Sequence, residues 1–242
     1  MKQPIIILFA IIFTGIIFHQ CSTNSNNIMN GTQTLSAELN KYAFDLRDEF
    51  DRIPENRKAI LADLAQYIRQ KVDAGEAARL VFICTHNSRR SHMSQLWAQA
   101  AAHYYGVPEI YTYSGGTEAT AFNPRAVAAM QEAGFDIAVE EPGENPVYRA
   151  VYAPGITGLD VFSKVYDHEA NPDRAFAALM TCSHADQNCP FIPGAESRIA
   201  IPYDDPKDFD GTPHEKDAYR ERSRQIAREM FYTFSLIRPG QS

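Results

Sequence analysis

Four short apolar segments, separated by segments with helical periodicity, constrain the fold of this 242-residue chain more than any other feature. Apolar runs of this length are typical of strands that are buried on both faces of a sheet. Strands that alternate with helices form parallel sheets covered by those helices. The sequence therefore predicts an α/β fold, a four-stranded parallel sheet with helices on both faces. The predicted strands span 79–83, 110–114, 176–181 and 198–202.

The chain divides into three predicted parts. Residues 1–33 form a signal or lipoprotein-like segment with a tether. Residues 34–76 form an N-terminal helical extension, and residues 77–240 form the domain that contains the sheet. A change of pattern at 146–167, around a Pro-Gly turn, predicts an inserted β-hairpin. Apolar residues at helical spacing predict helices at 35–51 and 54–74, which form an N-terminal pair, and at 90–105, 124–133 and 216–236.

The N-terminus has the layout of an export signal. Lys2 precedes an apolar run at 5–18, which is shorter than the roughly 20 residues of a full membrane span. Cys21 and a polar stretch follow. This layout resembles a bacterial lipoprotein signal, which implies that Cys21 is acylated and holds the protein at the membrane. An uncleaved anchor and simple secretion are the alternatives, and in each case we expect an exported protein on the periplasmic side or cell surface.

The charge and the cysteine content argue against two classes of protein. The net charge is −7, whereas nucleic-acid-binding proteins usually present a basic surface. Four cysteines are too few for a disulfide-stapled scaffold. An acidic protein that binds anions must concentrate positive charge locally, so we expect a few arginines and backbone amides to matter. No cofactor is predicted.

The segment from Cys84 to Ser91 has the features of an anion site. Cys84 directly follows the predicted strand 79–83, at the sheet edge where α/β proteins bind ligands. The loop leads into a predicted helix, whose first amides are unpaired. Arg90 lies six residues after Cys84, and its planar fork of donors suits two oxygens of a phosphate-like ion. We expect a nucleophilic Cys84; the alternative is a buried cysteine beside a helix N-terminus.

This loop resembles that of the low-molecular-weight protein tyrosine phosphatases and of the thioredoxin-coupled arsenate reductases, which share one fold and carry Cys-x-x-Asn-x-Cys-Arg-Ser. Two positions depart from that pattern: His86 replaces the usual glycine, and Arg89 replaces the second cysteine. Histidine tolerates left-handed backbone better than most residues, and its side chain is expected to narrow or polarise the mouth. The resemblance implies an oxyanion-binding loop made of Thr85, His86, Asn87, Ser88, Arg89, Arg90 and Ser91.

Asp205 is the candidate general acid. It precedes Pro206 and follows the fourth predicted strand. The resemblance implies that role, because in these families the general acid is an Asp immediately before Pro. Cleavage of a P–O or As–O bond leaves an oxygen that must be protonated. Asp-Pro is also an ordinary turn signal.

Cys182 and Cys189 stand seven residues apart, the first at a predicted strand end and the second in a predicted loop. They look like the resolving pair of the thioredoxin-coupled arsenate reductases, a pair that ordinary phosphatases of this fold lack. The resemblance implies a relay in which Cys182 attacks Cys84 and Cys189 then attacks Cys182. A structural disulfide and a metal site with His184 as a further ligand are the alternatives.

Three hypotheses about function follow. The first is reduction of arsenate to arsenite through the three-cysteine relay, with a thioredoxin-like reductant. The second is hydrolysis of a phosphate ester, such as phosphotyrosine, by Cys84 and Asp205. The third is an oxyanion-binding or redox-sensing protein without turnover, in which Asp205 has no use.

Overall fold

The computed structural model describes residue 1 and residues 34–189 and 191–237. Short 3-10 helices in these ranges span Phe50–Arg52 and Pro206–Phe209. The α-helices are α1 (Ala37–Arg47), α2 (Glu55–Asp73), α3 (Arg90–Tyr104), α4 (Pro124–Glu132), α5 (Ser183–Asn188) and α6 (Glu215–Ser235). The strands are β1 (Ala78–Cys84), β2 (Ile110–Gly116), β3 (Asp136–Glu141), β4 (Val147–Val151), β5 (Leu159–Val161), β6 (Phe176–Met180) and β7 (Ala195–Ala200).

The central sheet has the order β2–β1–β6–β7, and every neighbouring pair in it is parallel. The predicted four-stranded parallel sheet is therefore confirmed, and each predicted strand overlaps an observed one. The middle strands β1 and β6 are buried at every position except Arg79. Burial on both faces explains why these strands are continuous apolar runs rather than alternating ones.

The two faces of the sheet carry separate hydrophobic clusters. Side chains alternate between the faces along β1: Leu80 and Phe82 enter the main core, whereas Val81 and Ile83 enter a smaller cluster. Helices α3 and α6 and the N-terminal pair pack into the main core. Short α5, which the sequence analysis did not predict, covers the smaller cluster.

The N-terminal helical pair shares the main core with the sheet domain. Leu39 of α1 and Leu64 of α2 are fully buried there. Tyr42 of α1 stacks on Trp97 of α3, with ring centroids 5.2 Å apart. The first helix ends at Arg47, earlier than predicted, and the chain bends there. The extension is thus part of the same packed unit.

A second, three-stranded antiparallel sheet lies beside the first, in the order β3–β4–β5. Strands β4 and β5 form a hairpin where the sequence predicts one, whereas β3 was not predicted. The hairpin was predicted to extend over 146–167, and this is wrong beyond Val161, where β5 ends. Ser163 and Lys164 leave the small sheet because they form hydrogen bonds with the loop after β1, and Val165 forms a parallel bridge with Gly116.

The export signal predicted at 1–33, with Cys21, lies outside the described residues apart from Met1 and stays a prediction. Among the residues that the structure describes, no helix combines the length and the apolar character that crossing a membrane requires.

The N-terminal pair should stabilise the whole domain. We predict that Leu39→Ala lowers the free energy of unfolding by about 2–5 kcal/mol, because a fully buried leucine leaves a cavity. Urea unfolding followed by Trp97 fluorescence measures the change. Phe44→Ala on the same helix is the control: Phe44 is 62% exposed, and its loss should change stability by no more than about 0.5 kcal/mol. Equal effects of the two substitutions would contradict the shared core.

Candidate active site

The loop between β1 and α3 turns its carbonyl groups outward. The carbonyls of Cys84, Thr85 and Ser88 accept hydrogen bonds from the amides of Thr117, Glu118 and Asn123, at 2.8–3.1 Å. That of His86 accepts from two hydroxyls, on Thr120 and Ser163. Among the described residues, none accepts a hydrogen bond from the amides of 85–89. Successive amides without partners, in a loop that leads into a helix, are typical of anion-binding sites.

Asn87 is the residue with left-handed backbone in this loop, at φ 43°. His86 does not have a positive φ, so the tolerance of histidine for left-handed backbone is not needed at this position. Asparagine is among the residues that best tolerate this region. Asn87 is fully buried, and its Oδ1 accepts from the amide of Lys164 at 2.9 Å. The segment that follows β5 therefore holds the loop in shape.

Gly116, at the end of β2, is required by the close approach of two backbone segments. A Cβ atom at this position would lie 2.2 Å from the Glu118 carbonyl and 2.6 Å from the Thr85 carbonyl. Neither backbone can move without breaking the loop. Sequence reasoning did not assign this residue a role, although the Gly-Gly pair that closes the strand was a signal of close packing.

A chain of hydrogen bonds leads from Asn87 through Ser91 to the Cys84 sulfur. Asn87 Nδ2 donates to Ser91 Oγ at 2.8 Å, and Ser91 Oγ lies 3.1 Å from Cys84 Sγ. Ser91 Oγ can donate to a Cys84 thiolate while it accepts from Asn87, because a hydroxyl both donates and accepts. Cys84 is 3% exposed and Ser91 is fully buried. The Cys84 sulfur thus lies beside a hydroxyl group in a site nearly free of bulk water.

Arg90 joins the loop to the segment that carries the candidate acid. Its Nη1 donates to the Tyr203 carbonyl at 3.0 Å, and its Nη2 donates to Asp205 Oδ2 at 2.7 Å. The third nitrogen, Nε, is buried and has no hydrogen-bond partner among the described residues. A buried, unpaired N–H of a charged guanidinium is costly, and an oxyanion held by the loop would satisfy it.

Arg89, the residue that departs from the family pattern, also binds Asp205. Its Nε and Nη2 donate to the two carboxylate oxygens at 2.8 and 3.3 Å, and the Lys207 amide donates to Oδ1. Partial burial by itself raises the pKa of Asp205, but the charges of Arg90 and Arg89 outweigh it and hold the pKa below its ordinary value. Asp205 is therefore ionised in the free site near neutral pH.

Cys182 lies at the edge of the anion loop. Its sulfur is 3.5 Å from Thr85 Oγ1, which is in turn 3.3 Å from Nδ1 of the exposed His184. The Ala185 amide donates to the same sulfur at 3.3 Å, so Cys182 caps the N-terminus of α5. Cys182 is 1% exposed and shares the smaller apolar cluster with Cys84.

Cys189 lies at the other end of α5. It is half-buried, and its carbonyl accepts from Arg198 Nε at 3.0 Å. Seven residues of helical rise place its Cα about 10 Å from that of Cys182. All three described cysteines are free thiols. Among the described residues, no cluster of histidine, cysteine or carboxylate side chains could hold a metal ion.

The predicted residues thus fall into two groups. Ser88 Oγ donates to the Ala121 carbonyl, and His86 approaches Glu118 to 3.5 Å at the rim. These two side chains therefore support or border the loop. Lys164, which sequence reasoning missed, is 4% exposed, and burial lowers its pKa to about 8. Among the other predicted residues, hydrogen bonds join Cys84 to Ser91 and Arg90 to Asp205. Cys182 lies at the edge of the loop, beside Thr85.

The charge on Asp205 should contribute to stability only above acidic pH. Its folded-state pKa is lowered, so its contribution is complete above the unfolded value of about 4 and is lost as the pH falls through the folded value. We predict that Asp205→Asn lowers the free energy of unfolding by about 1–3 kcal/mol at pH 7, and by less at pH 3 to 4 in urea titrations. Asp204→Asn, at a side chain that is 93% exposed, is the control; a deficit independent of pH would refute the two-arginine account.

Three comparisons place the chain among known proteins. The family described as low molecular weight phosphotyrosine protein phosphatase matches residues 79–144. The arsenate reductase of Halalkalibacterium halodurans is 32% identical over 156 residues, which cover 64% of this chain and 94% of that protein. The arsenate reductase of Bacillus subtilis strain 168 is 32% identical over 145 residues, covering 60% and 86%.

Solved structures were also found. A low-molecular-weight protein tyrosine phosphatase from T. tengcongensis is 18% identical with a TM-score of 0.46, over 66% of this chain and 99% of that one. An arsenate reductase in the oxidised state is 19% identical with a TM-score of 0.40, over 66% and 98%. The sequence relatives, which the chain spans almost completely, decide the assignment. The chain belongs to the low-molecular-weight protein tyrosine phosphatase superfamily, close to its arsenate reductases, and is an enzyme of that type.

Proposed function

We propose that this protein reduces arsenate to arsenite through Cys84, Cys182 and Cys189. The observation that carries the proposal is the position of Cys182, whose sulfur touches Thr85 of the anion loop. A second thiol at the mouth of the nucleophile's site is what reductive release of the product requires. The arsenate reductases among the relatives support the same reaction.

The first step forms a bond between the Cys84 sulfur and arsenic. The free amides of 85–89 and the Nε of Arg90 bind the oxyanion. The thiolate attacks arsenic, and one As–O bond breaks. An oxyanion competes with Asp205 for Arg90 and adds negative charge beside the carboxyl, so both effects raise the pKa of Asp205. Asp205 can then carry the proton that makes the departing oxygen water.

The second step transfers electrons to arsenic. The Cys182 thiolate attacks the Cys84 sulfur, an S–S bond forms, and the S–As bond breaks with its electron pair remaining on arsenic. Arsenite leaves. The amide of Ala185 stabilises charge on the attacking sulfur, and Thr85 together with His184 offers a path for its proton.

The third step requires α5 to unwind. Cysteines whose Cα atoms are more than about 7 Å apart cannot form a disulfide, and the length of α5 holds Cys182 and Cys189 about 10 Å apart. Attack of Cys189 on Cys182 frees Cys84 as a thiolate and brings the new disulfide to the partly exposed end of the segment. An external dithiol, of the thioredoxin type, then reduces that disulfide.

Phosphate-ester hydrolysis is the second candidate, because the anion loop, Arg90 and Asp205 suit phosphate and arsenate equally. In that reaction water, rather than Cys182, attacks the adduct on Cys84. Both reactions need a protonated Asp205, and a bound oxyanion raises its pKa in either case. The position of the Cys182 sulfur beside Thr85 is the observation that favours arsenate reduction.

The relay makes a prediction that separates the two reactions. Cys182→Ser should lower arsenate-dependent oxidation of reduced thioredoxin by about 100-fold or more, because no thiol remains to attack the Cys84 adduct. Hydrolysis of an aryl phosphate by the same variant should stay within about twofold of the parent, since that reaction does not use Cys182. Cys84→Ser is the control and should abolish both activities.

Parental arsenate turnover in Cys182→Ser would rule out the relay. Aryl phosphate turnover without any arsenate turnover in the parent would favour the phosphatase. Phosphate binding without either activity would favour an oxyanion-binding protein.

A further inference from the structure

Arg57 links the N-terminal extension to the segment that carries Asp205. It lies on α2, outside the stretch that matches the family at 79–144. Its Nη1 donates to the Pro202 carbonyl at 3.1 Å, and its guanidinium lies 5.0 Å from the centre of the Tyr203 ring. One side chain from the extension thus contacts the two residues that lead into Asp204 and Asp205.

Tyr203 is held from the opposite side by the anion loop. Its carbonyl accepts from Arg90 Nη1 at 3.0 Å, and its amide donates to the Thr181 carbonyl at 3.1 Å. Its ring is 4% exposed. Tyr203 therefore lies between two arginines: Arg57 binds its ring face and Arg90 binds its backbone. Tyr203 therefore connects Arg57 to Arg90, which in turn binds Asp205.

A buried carboxylate fixes Arg57 in place. Glu229 of α6 is 1% exposed and forms an ion pair with the Arg57 guanidinium. Gln225 Nε2 donates to the same carboxylate at 3.2 Å. A buried ion pair contributes little net stability compared with apolar packing, so its value lies in fixing one geometry. The planar guanidinium fork can bind Glu229, Pro202 and the Tyr203 ring together, which a lysine cannot do.

We propose that Arg57 is a positioning residue that holds Pro202–Asp205 against the anion loop, so that the N-terminal extension forms part of the catalytic apparatus. The proposal rests on the proposed function in one respect, that Asp205 is the proton donor. A proton donor must stay within hydrogen-bond reach of the departing oxygen, and small displacements of reacting groups cost large factors in rate. Arg57 supplies this constraint without touching the substrate.

The chain offers a matched control in Arg224. This residue of α6 donates to Glu49 from Nε and Nη2, at 3.0 and 2.7 Å, and its guanidinium lies 4.8 Å from the centre of the Tyr42 ring. Arg224 thus makes an ion pair and a ring contact between α6 and the extension, as Arg57 does. None of its hydrogen bonds or ring contacts involves Pro202–Asp205.

The experiment compares Arg57→Lys with Arg224→Lys in the full chain. Both substitutions keep the positive charge and remove the planar guanidinium group, so they should lower the melting temperature similarly. We expect Arg57→Lys to reduce kcat for arsenate about tenfold or more, with a smaller change in KM. Arg224→Lys should keep kcat within about twofold of the parent. Equal kcat values in the two variants would overturn the proposal.

A second readout does not depend on turnover. Inorganic phosphate should protect Cys84 from alkylation by iodoacetamide, because the ion fills the loop above the sulfur. Loss of the Tyr203 contact loosens Arg90, so Arg57→Lys should need several-fold more phosphate for half-protection than Arg224→Lys. Identical protection curves would also overturn the proposal.

Failure of the proposed function would give a different result. The parent protein would then be inactive with both arsenate and aryl phosphate, but phosphate would still protect its Cys84 from alkylation. The protection curves then decide the role of Arg57. Should Arg57→Lys unfold, the double variant Arg57→Met with Glu229→Met replaces the buried pair by apolar side chains of similar size. Its protection curve must then differ from that of Arg224→Lys, or the proposal fails.

Discussion

The outward hydrogen bonding of the loop carbonyls is the constraint on which the active site depends. Each carbonyl from Cys84 to His86, and that of Ser88, accepts a hydrogen bond from a neighbouring segment, and the loop amides stay available to an anion. Two segments that lie far along the chain supply the donors: residues 117–123, which follow β2, and residues 163–164, which follow β5. The anion site is therefore a property of three segments packed together. Gly116 is the position where that packing leaves no space for a side chain.

The candidate acid Asp205 is also held by residues of this loop. Asp205 is bound by two arginines from one loop, and Arg89 stands where relatives of this fold carry a cysteine. Their charges keep the carboxyl ionised until an oxyanion competes for Arg90. In the proposed mechanism, substrate binding and the protonation of Asp205 are coupled through the Arg90 guanidinium. Coupling of this kind ties the chemistry of the acid to occupancy of the loop.

The thiol partners lie in the smaller apolar cluster, which also contains Cys84. Cys182 caps α5 beside Thr85, while Cys189 is held a helix length away. Arg198 fixes the far end of α5 by binding both Asp186 and the Cys189 carbonyl. A segment this short makes few internal hydrogen bonds, so unwinding it costs little. The proposed relay uses that low cost to bring the two sulfurs together.

Sequence by itself determined the four-stranded parallel sheet and the five longer helices, and it indicated the anion loop. Short apolar runs, helical periodicity and the spacing of Cys84, Asn87 and Arg90 are local features that can be interpreted without a fold. Only the tertiary structure decided that Asn87 carries the left-handed backbone, that Arg89 binds Asp205 and that Thr85 meets Cys182. The pairs Arg89–Asp205 and Thr85–Cys182 are 116 and 97 residues apart. No local pattern encodes such contacts, because they arise only when parallel strands bring their carboxyl ends to one edge of the sheet.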